Sequence, residues 1–379
     1  MQLPLQEVAT LQRGFDLPSR SRKPGDVPIV SSAGISDWHG SYKVAPPGVV
    51  TGRYGTIGEV FFLNQNFWPL NTTLWVSDFH GNCAKYVYYL LQTIDYRSHS
   101  GKSGVPGVNR NDLHSEIVSI PTSVTEQKHI AEVLSDSDDL IQSLERFISK
   151  KRAIKQGMMQ ELLTGRTRLP GFSASWFSST WGELALGISS GATPRRGVAE
   201  YWNGEIPWVT STELKRGPVD SIPQSITTAG LRAANLRIWP AGTFLMAITG
   251  LEAAGTRGKC GLLSVAAATN QSCMAVAPGP DLDTEFLFYY YLHYGNDLAF
   301  KYVQGTKQQS YTAAIVKKLP IHLPSDVSEQ QAIAQVLRDA DHEIAALERC
   351  LESARNIKQG MMQELLTGRT RLPFEGESA

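Results

Sequence analysis

Two short stretches of this chain carry residue types that support phosphate or metal chemistry in other proteins. The first, Ser98-His-Ser-Gly-Lys-Ser103, is similar to the second half of a phosphate-binding loop. A complete loop needs a glycine five residues before Gly101, and this chain has Tyr96 there. The backbone cradle for a phosphate is therefore not predicted.

The second stretch offers carboxylates that a metal-dependent nuclease would need. Asp112 or Glu116, taken with Glu126-Gln-Lys128, supplies acids and a lysine. A related segment, Glu329-Gln-Gln331, lacks the lysine, and an acid at a predicted helix start already interacts favourably with the helix dipole. A nuclease centre at Glu126 and Lys128 stays an alternative, which predicts metal-dependent DNA cleavage by the chain alone. We expect none.

No other catalytic or metal-binding pattern is present in the sequence. The chain has no H-E-x-x-H, G-x-S-x-G or G-x-G-x-x-G motif, and it lacks the Asp/Asn-Pro-Pro-aromatic motif of adenine methyltransferases. Its four cysteines are scattered without a C-x-x-C pair, which favours buried free thiols over a zinc site or disulfides. The sequence predicts no catalytic residue and no metal ligand.

The charge balance limits the classes of partner. The chain has 36 basic and 36 acidic residues among 379. Binding nucleic acid without sequence preference draws its energy from neutralised phosphates, so this balance argues against that class. A DNA surface would have to be a local concentration of basic side chains. The sequence shows no leader pattern and no apolar run of about 18 residues, so we expect a cytoplasmic protein that does not span a membrane.

An internal repeat organises the chain. Residues 154–170 and 357–373 are the same seventeen letters, IKQGMMQELLTGRTRLP, displaced by 203 positions. The repeat extends back to Thr125 and Ser328 without a gap. In each copy apolar residues recur at nearly heptad spacing, which predicts a helix about 58 Å long with a packing seam. The predicted packing residues are Ile130, Leu134, Ile141, Leu144, Ile148, Gly157, Ile333, Leu337, Ile344, Leu347, Leu351 and Gly360.

Signals at the ends of both copies predict where the helices begin and end. Thr125 and Ser328 are the predicted N-caps, the latter with Gln331 as its capping-box partner. Gly165 and Gly368 are predicted to take the left-handed conformation that follows many helices.

Two identical helices in one chain most naturally pack antiparallel, which would give the molecule a pseudo-twofold axis. Gly157 and Gly360 lie inside these helices, where glycine costs about 1 kcal/mol relative to alanine. We expect a neighbouring backbone to approach both glycines closely; a tolerated weak spot is the alternative. A coiled coil that only dimerises the protein is a further alternative.

The segments before the two copies share only scaffold positions, such as VPIVSS at 27–32 and IPWVTS at 206–211. Short β-type runs, with one predicted helix each at 85–94 and 285–294, indicate mixed sheets with exposed loops. The predicted fold class is α+β: two mixed α/β domains separated by two long antiparallel coiled-coil-like helices with pseudo-twofold symmetry. The predicted segments are a first variable domain (1–124), a first helical segment (125–170), a second variable domain (171–327), and a second helical segment with a C-terminal tail (328–379).

This organisation resembles the specificity subunits of Type I restriction-modification systems. Glu126-Gln127 and Glu329-Gln330 open helices that close on Lys-Gln-Gly-Met-Met-Gln-Glu-Leu-Leu-Thr-Gly. Shorter phrases at 52–58, 67–73, 188–194 and 206–211 fit the same family in the same order. The resemblance covers essentially the whole chain.

The resemblance implies a division of labour. Each variable domain would be a target recognition domain that reads one half of a bipartite, asymmetric sequence in double-stranded DNA, and the helices would set the number of unread base pairs. The helices would also bind two modification subunits, which hold S-adenosylmethionine, and two restriction subunits would add ATP- and Mg-dependent cleavage. This chain would hold no cofactor and catalyse no reaction.

Candidate DNA-binding residues are polar or basic residues of the predicted loops. In the first variable domain they are Arg20, Arg22, Lys23, Ser31, Ser32, Arg53, Tyr54, Lys102 and Arg110. In the second they are Arg195, Arg196, Thr210, Thr212, Arg257, Lys259, Lys307, Gln308, Gln309 and Tyr311. Residues 307–311 are the preferred segment because glutamine suits an adenine edge; its counterpart, 103–110, lacks the glutamine. A protein-protein scaffold whose variable domains do not bind DNA is the alternative function.

Overall fold

The computed structural model describes residues 1–99, 107–253, 255–303 and 309–372. The chain divides into two compact units: unit 1 is Met1–Phe147 with Leu347–Ala379, and unit 2 is Ile148–Ala346. Both divisions fall inside long helices, so each unit joins one variable domain to parts of both helices. The segment boundaries at 124, 170 and 327 stay a prediction.

Unit 1 contains a small mixed domain that leads into the first long helix. Its strands are β1 (Gln2–Pro4), β2 (Thr10–Arg13), β3 (Val27–Ser31), β4 (Gly34–His39), β5 (Gly48–Gly52), β6 (Val60–Leu63), β7 (Trp68–Pro69), β8 (Thr73–Asp78) and β9 (Ile117–Ser119). Its helices are α1 (Leu5–Val8), α2 (Ala84–Leu91), α3 (Arg110–His114) and the start of α4 (Val124–Leu162), with a 3-10 turn at Ser19–Ser21.

These strands form three sheets, in the orders β2-β8-β5-β6, β4-β3-β7 and β1-β9. Strand β5 is buried along its whole length, as its continuous run Gly-Val-Val-Thr-Gly predicts. Strand β3 contributes Ile29 to one buried cluster and Val30 to another, so it is covered on both faces.

Unit 2 repeats this plan with additions. Its strands are β10 (Trp176–Thr180), β11 (Ala185–Ser190), β12 (Trp202–Val209), β13 (Gly217–Val219), β14 (Ser225–Ile226), β15 (Phe244–Ala247), β16 (Cys260–Leu263), β17 (Ala268–Thr269), β18 (Cys273–Pro278) and β19 (Pro320–Pro324). Its helices are α5 (Trp181–Leu184), α6 (Thr228–Ala233), α7 (Thr284–Tyr302), α8 (Ala313–Lys317) and the start of α9 (Val327–Leu365), with a 3-10 turn at Ala199–Tyr201.

The sheet orders of unit 2 are β11-β18-β15-β16-β13, β14-β12-β17 and β10-β19. They match those of unit 1 strand for strand, apart from the added β13. The loosely related glycines Gly14 and Gly191 also have one physical explanation. A Cβ there would lie 2.1 Å from the Leu70 carbonyl oxygen and 1.7 Å from that of Thr269, so only glycine fits either position.

Each variable domain is built around an aromatic helix. Helix α2 buries Tyr86, Val87, Tyr89, Leu90 and Leu91, and α7 buries nine of its residues. The predicted helix at 85–94 ends earlier, at Leu91, whereas the one at 285–294 continues to Tyr302. The extension is stabilised because Leu298 and Ala299 remain buried in the core of unit 2.

The two long helices match the predicted ones closely, but their caps do not. Both helices begin one residue earlier than predicted, at Val124 and Val327. The Ser123 hydroxyl accepts from the Glu126 backbone N–H, and the Asp326 carboxylate accepts from that of Ser328. The predicted N-caps at Thr125 and Ser328 are therefore wrong.

The C-terminal prediction is confirmed. Gly165 has φ of 70° and Gly368 has φ of 72°, the left-handed conformation. Leu163 and Leu366, just past the two helix ends, are buried in the cores of their units.

Within each unit the long helices run antiparallel. In unit 1 the early residues Asp138 and Glu145 of α4 contact Lys358 and Arg355 of α9 in reverse order. In unit 2 Lys151 of α4 contacts Glu343 of α9, and Lys155 contacts Asp341. The order is again reversed, as antiparallel helices require.

The predicted packing residues divide into two groups. Buried ones are Ile130, Leu134, Ile148, Ile333, Leu337 and Ile344. Half-buried ones are Ile141, Leu144, Leu347 and Leu351. Ile130 and Leu134 pack in the core of unit 1, and Ile333 and Leu337 in that of unit 2, so the helix starts also serve as core elements of the variable domains.

The expectation for the two glycines is wrong. Gly157 and Gly360 are exposed, and a Cβ at either position would have no described atom within 4 Å beyond the local helix backbone. No close approach compensates their cost in the described parts of the chain. None of the described helices combines the length and apolar character that crossing a bilayer requires.

Candidate nucleic-acid interface

The start of α4 is fixed in unit 1 by two buried polar side chains. Glu126, 3% exposed, accepts from Arg371 Nε at 3.0 Å and from its Nη2 at 2.7 Å. The hydrogen bonds from Arg371 hold the pKa of the Glu126 carboxyl below its usual value. Gln127, 1% exposed, accepts from the Cys83 backbone N–H at 2.9 Å and donates to Asn82 Oδ1 and the Pro121 carbonyl.

Unit 2 repeats this arrangement at the start of α9. Glu329 accepts from Arg168 Nε at 2.5 Å and Nη2 at 2.7 Å. Gln330 accepts from the Asp283 backbone N–H at 2.8 Å and donates to the carbonyls of Asp281 and Pro324. Each Glu-Gln pair thus joins a long helix, the N-terminal end of the aromatic helix and a tail segment of the repeat. These acids are structural, so the arrangement gives the nuclease alternative no support.

A third duplicated contact connects each aromatic helix to both long helices. In unit 1 the Tyr89 hydroxyl donates to Asp138 at 2.8 Å, and Lys358 Nζ lies 2.6 Å from the same carboxylate. In unit 2 Tyr289 donates to Asp341 at 3.0 Å, with Lys155 at 2.5 Å. Burial and the neighbouring aspartate raise the pKa of both tyrosines, which therefore remain neutral donors. The frame that carries the variable domains is the same in both units.

The surfaces on that frame hold the predicted DNA-binding residues. In the first variable domain Ser32 and the loop after β5 are neighbours, since a Cβ at Gly52 would lie 3.2 Å from Ser32 Cβ. In this loop Arg53 lies over the ring of Tyr54 at 4.5 Å, and Tyr54 is 43% exposed. Ser31 instead turns inward and donates to the Gly34 carbonyl. The structure therefore brings Ser32, Arg53 and Tyr54 together.

Arg53 and Tyr54 also line a cleft of about 430 Å³, with His99, Asn109 and Asp112 on its other sides. Arg110 follows Asn109 at the start of α3 and is exposed. Arg110 therefore directly follows a residue of the cleft that Arg53 and Tyr54 line.

Arg22 and Lys23 contact the second half of β4, and Arg20 lies two residues before Arg22 in the chain. The Lys23 backbone N–H donates to His39 Nδ1 at 2.9 Å. Arg22 is paired with Asp37 at 2.7 Å, which lowers the pKa of that carboxyl. Arg20 and Lys23 are exposed. Two of the three cations therefore face solvent, while Arg22 has a structural partner.

In the second variable domain Arg195 and Arg196 are adjacent but differ in setting. Arg196 lies 4.1 Å from the ring of Trp202 and donates to Gln224 Oε1 at 2.8 Å. Arg195 is exposed. Thr210 accepts from the Thr212 backbone N–H at 3.2 Å, so these two residues form one turn.

Three other candidates meet around the loop after β15. Arg257 donates to the Leu251 and Glu252 carbonyls at 2.8 and 3.0 Å, so it ties this loop to itself. The Gln309 carbonyl accepts from the Leu251 backbone N–H at 3.1 Å, so Gln309 is adjacent. Lys259 is half-buried at the end of the same loop.

Tyr311 does not belong to the surface. It is 2% exposed and packs in the core of unit 2, so the prediction that its side chain contacts DNA is wrong. Lys102, Lys307 and Gln308 lie outside the described residues, and their predicted role stays a prediction.

Sequence reasoning missed the exposed apolar residues Ile35 and Trp38 of β4. Both are apolar residues within a polar, basic segment of the sequence. A search for polar residues that contact base edges does not select them. It also missed the structural use of the buried Glu-Gln pairs, although their repetition at both helix starts was visible.

The cysteines differ in their burial. Cys260 and Cys273 are buried, as expected, and burial raises the pKa of both thiols; Cys350 is exposed, contrary to expectation. The described residues contain no group of three or more His, Cys, Asp or Glu side chains arranged to hold a metal ion.

Known structures share this fold. The S subunit of a Type I restriction-modification system from M. genitalium matches 97% of this chain and 96% of its own, with a TM-score of 0.66 and 14% identity. A chain from a structure on complex assembly and conformational transition of the type I R-M system matches 98% of both chains, with a TM-score of 0.58 and 14% identity.

Curated relatives give the same picture. The MjaVIII specificity subunit of Methanocaldococcus jannaschii is 25% identical over 316 residues, 76% of this chain and 70% of that subunit. The EcoR124I/EcoR124II specificity subunit of Escherichia coli is 23% identical over 267 residues, 68% and 63% of the two chains. The MjaIX specificity subunit of M. jannaschii is 29% identical over 157 residues, and the match spans 34% of its length.

The sequence pattern of one family, the Type I restriction modification DNA specificity domain, matches this chain twice, at residues 2–153 and 175–353. The two matches fall on the two copies of the plan described above. This chain therefore belongs to the Type I restriction modification DNA specificity domain family.

Proposed function

We propose that this chain is the non-catalytic DNA-recognition subunit of a Type I restriction-modification complex. Each variable domain reads one half of a bipartite, asymmetric DNA sequence. The observation that carries the proposal is the contrast within the chain: the Glu–Arg pair and two of the three glutamine hydrogen bonds at each helix start are duplicated, while the exposed loops differ. Such a contrast is what two different half-sites read from a common frame would require.

The long helices set the gap between the half-sites and recruit the partners in this proposal. Each helix has 39 residues, about 58 Å at 1.5 Å per residue. Two major-groove contacts on one face of a duplex are about 34 Å apart. A stiff element of this length is therefore suited to fixing such a separation.

The chemistry belongs to the partners. Two modification subunits would bring S-adenosylmethionine for adenine methylation, and two restriction subunits would bring ATP- and Mg-dependent cleavage. The chain would act in the cytoplasm as part of this assembly and would hold no cofactor itself.

The proposal is tested by selecting duplexes from a random-sequence pool with the complex of this chain and its modification subunit. Two short blocks with a fixed gap are expected in the selected DNA. No enrichment of any split motif would contradict the proposal and would favour a protein-protein scaffold.

A second experiment tests the helices as the spacing element. Residues are inserted or deleted between Leu162 and Thr167, just past the end of α4. The gap between the blocks is expected to change while both blocks keep their sequence. Altered blocks with an unchanged gap would contradict the role of the helices.

A further inference from the structure

Strand β4 of the first variable domain presents two exposed apolar side chains on one face. Ile35 is 52% exposed and Trp38 is 48% exposed. In a regular strand, residues three apart point to opposite faces. Here a bulge shifts the register between Ile29 and Val30, so that Ile35 lies opposite Val30 and Trp38 opposite Pro28. Since Pro28 and Val30 are two positions apart on β3, Ile35 and Trp38 share a face.

This face lies at the edge of its sheet, where β4 is the outermost strand of the order β4-β3-β7. An exposed apolar edge strand invites unwanted pairing with other chains, and proteins normally protect such edges. A pair of large exposed apolar side chains at this position therefore indicates a surface that a binding partner buries.

The charge around Ile35 and Trp38 indicates which kind of partner covers them. Residues 13–53 hold six basic and three acidic residues, a net charge of +3 (6 − 3) in a chain that is neutral overall. Two of the three acids, Asp16 and Asp37, are already paired with Arg13 and Arg22. The net charge of this segment is therefore positive. A positive surface binds a polyanion more favourably than it binds a protein surface of mixed charge.

The cations are distributed at both ends of β4. Lys23 is held beside His39, the last residue of the strand, by the 2.9 Å hydrogen bond to its backbone N–H. At the other end the turn containing Ser32 lies against the loop that carries Arg53. A strand of six residues is about 20 Å long, so cations separated by this distance flank the apolar pair.

We propose that the Ile35–Trp38 face of β4 enters the major groove and contacts thymine 5-methyl groups in the half-site of the first variable domain. Apolar contact with this methyl group is a known form of direct base readout. Lys23 and Arg53 bind phosphates on either side and fix the strand in the groove. This inference rests on the proposed function and adds the element and the chemical group through which one half-site is read.

The test uses the complex of this chain with its modification subunit and the split target selected from the random pool. Each thymine of the target is replaced in turn by deoxyuridine, which lacks only the 5-methyl group. At one or more positions of a single block the replacement is expected to weaken binding by the intact chain. The Trp38→Ala and Ile35→Ala variants should each bind about fivefold or more weakly. At least one of them should lose its sensitivity to deoxyuridine at such a position.

Ile117→Ala is the matched control, because Ile117 is a 59% exposed apolar strand residue of the same domain outside this surface. It should bind as the unaltered chain does and keep the deoxyuridine effect. The inference is overturned if deoxyuridine weakens DNA binding by the same factor in both β4 variants as in the unaltered chain. It is also overturned if neither block contains a thymine. Weaker recruitment of the modification subunit with unchanged DNA binding would overturn it in favour of a protein contact. If the unaltered chain selects no split motif, the proposed function itself fails.

Discussion

The corresponding sheet edges of the two variable domains differ. In the first, β4 leaves Ile35 and Trp38 exposed. In the second, β14 occupies the same place beside β12, and its Ile226 is fully buried in a cluster that includes Leu231 of the added helix α6. The edge strand of the first domain exposes its apolar side chains, whereas the corresponding strand of the second domain buries its isoleucine.

The loops after β5 and β15 differ in the same way. Arg53 faces a cleft, while Arg257 is hydrogen-bonded to carbonyls of its own loop. By contrast, Gln127 and Gln330 each accept from a backbone N–H at the start of the aromatic helix and donate to a proline carbonyl. The two units therefore share buried polar contacts at their helix starts, whereas their exposed surfaces differ.

The largest effect is expected from breaking the shared frame at Gln330. Gln330→Ala removes three hydrogen bonds and leaves the Asp283 N–H and the Pro324 carbonyl without this partner, so the free energy of unfolding should fall by about 2–4 kcal/mol. Urea titration measures the loss. Gln331→Ala, at the exposed neighbouring position, should change it by less than about 0.5 kcal/mol. Equal effects of the two substitutions would refute the structural role of Gln330.

A smaller effect sharpens the contrast between the two loops. Arg257→Ala should lower the free energy of unfolding by about 1–2 kcal/mol because two carbonyls lose their donor. Arg53→Ala should change the free energy of unfolding by less than about 0.5 kcal/mol, because the Arg53 side chain does not join distant parts of its loop as Arg257 does. Thermal unfolding of both variants checks this, and a larger loss for Arg53→Ala would reverse the assignment of the two arginines.

The frame also predicts an acid dependence in unit 1. The pKa of Glu126 is lowered from 4.5, chiefly by its hydrogen bonds from Arg371, so this pair stabilises the fold above that pH. The contribution is lost as the pH falls through the lowered value. Arg371→Gln should cost about 1 kcal/mol at neutral pH, because the arginine side of the pair faces water, and should flatten this part of the acid titration.

Arg369→Gln is the control for that titration, because Arg369 is an exposed arginine of the same tail. It should leave the acid dependence unchanged. A titration that is identical in the intact chain and in Arg371→Gln would mean that the ion pair does not stabilise unit 1.

The smallest expected effect has the opposite sign. Gly157→Ala and Gly360→Ala place a methyl group in open space on a helix, so each should raise the free energy of unfolding of the chain by up to about 1 kcal/mol. Circular dichroism during urea titration measures this. A decrease would show that something contacts these positions in solution.

The repeat and its periodicity sufficed to predict the two long helices, because long amphipathic patterns are strong local signals. The short β-type runs before each helix predicted the sheets of the α+β class. Cap positions were missed because Ser123 and Asp326 compete with Thr125 and Ser328, and only the backbone path distinguishes them. The surface was predicted less well. Tyr311 sits in a loop-like sequence yet packs inward, and the bulge that aligns Ile35 with Trp38 depends on pairing with β3.

The central claim is that one frame carries two independent readers, and motif selection on two variants tests it most directly. Arg53→Ala removes a half-buried cation at the cleft of the first variable domain, and Arg195→Ala removes an exposed cation of the second. Duplexes selected by the two variant complexes should each show a single relaxed block, a different one in each case, with an unchanged gap. If both variants relax the same block, or if either relaxes both blocks, the two domains do not read separate half-sites and the account is contradicted.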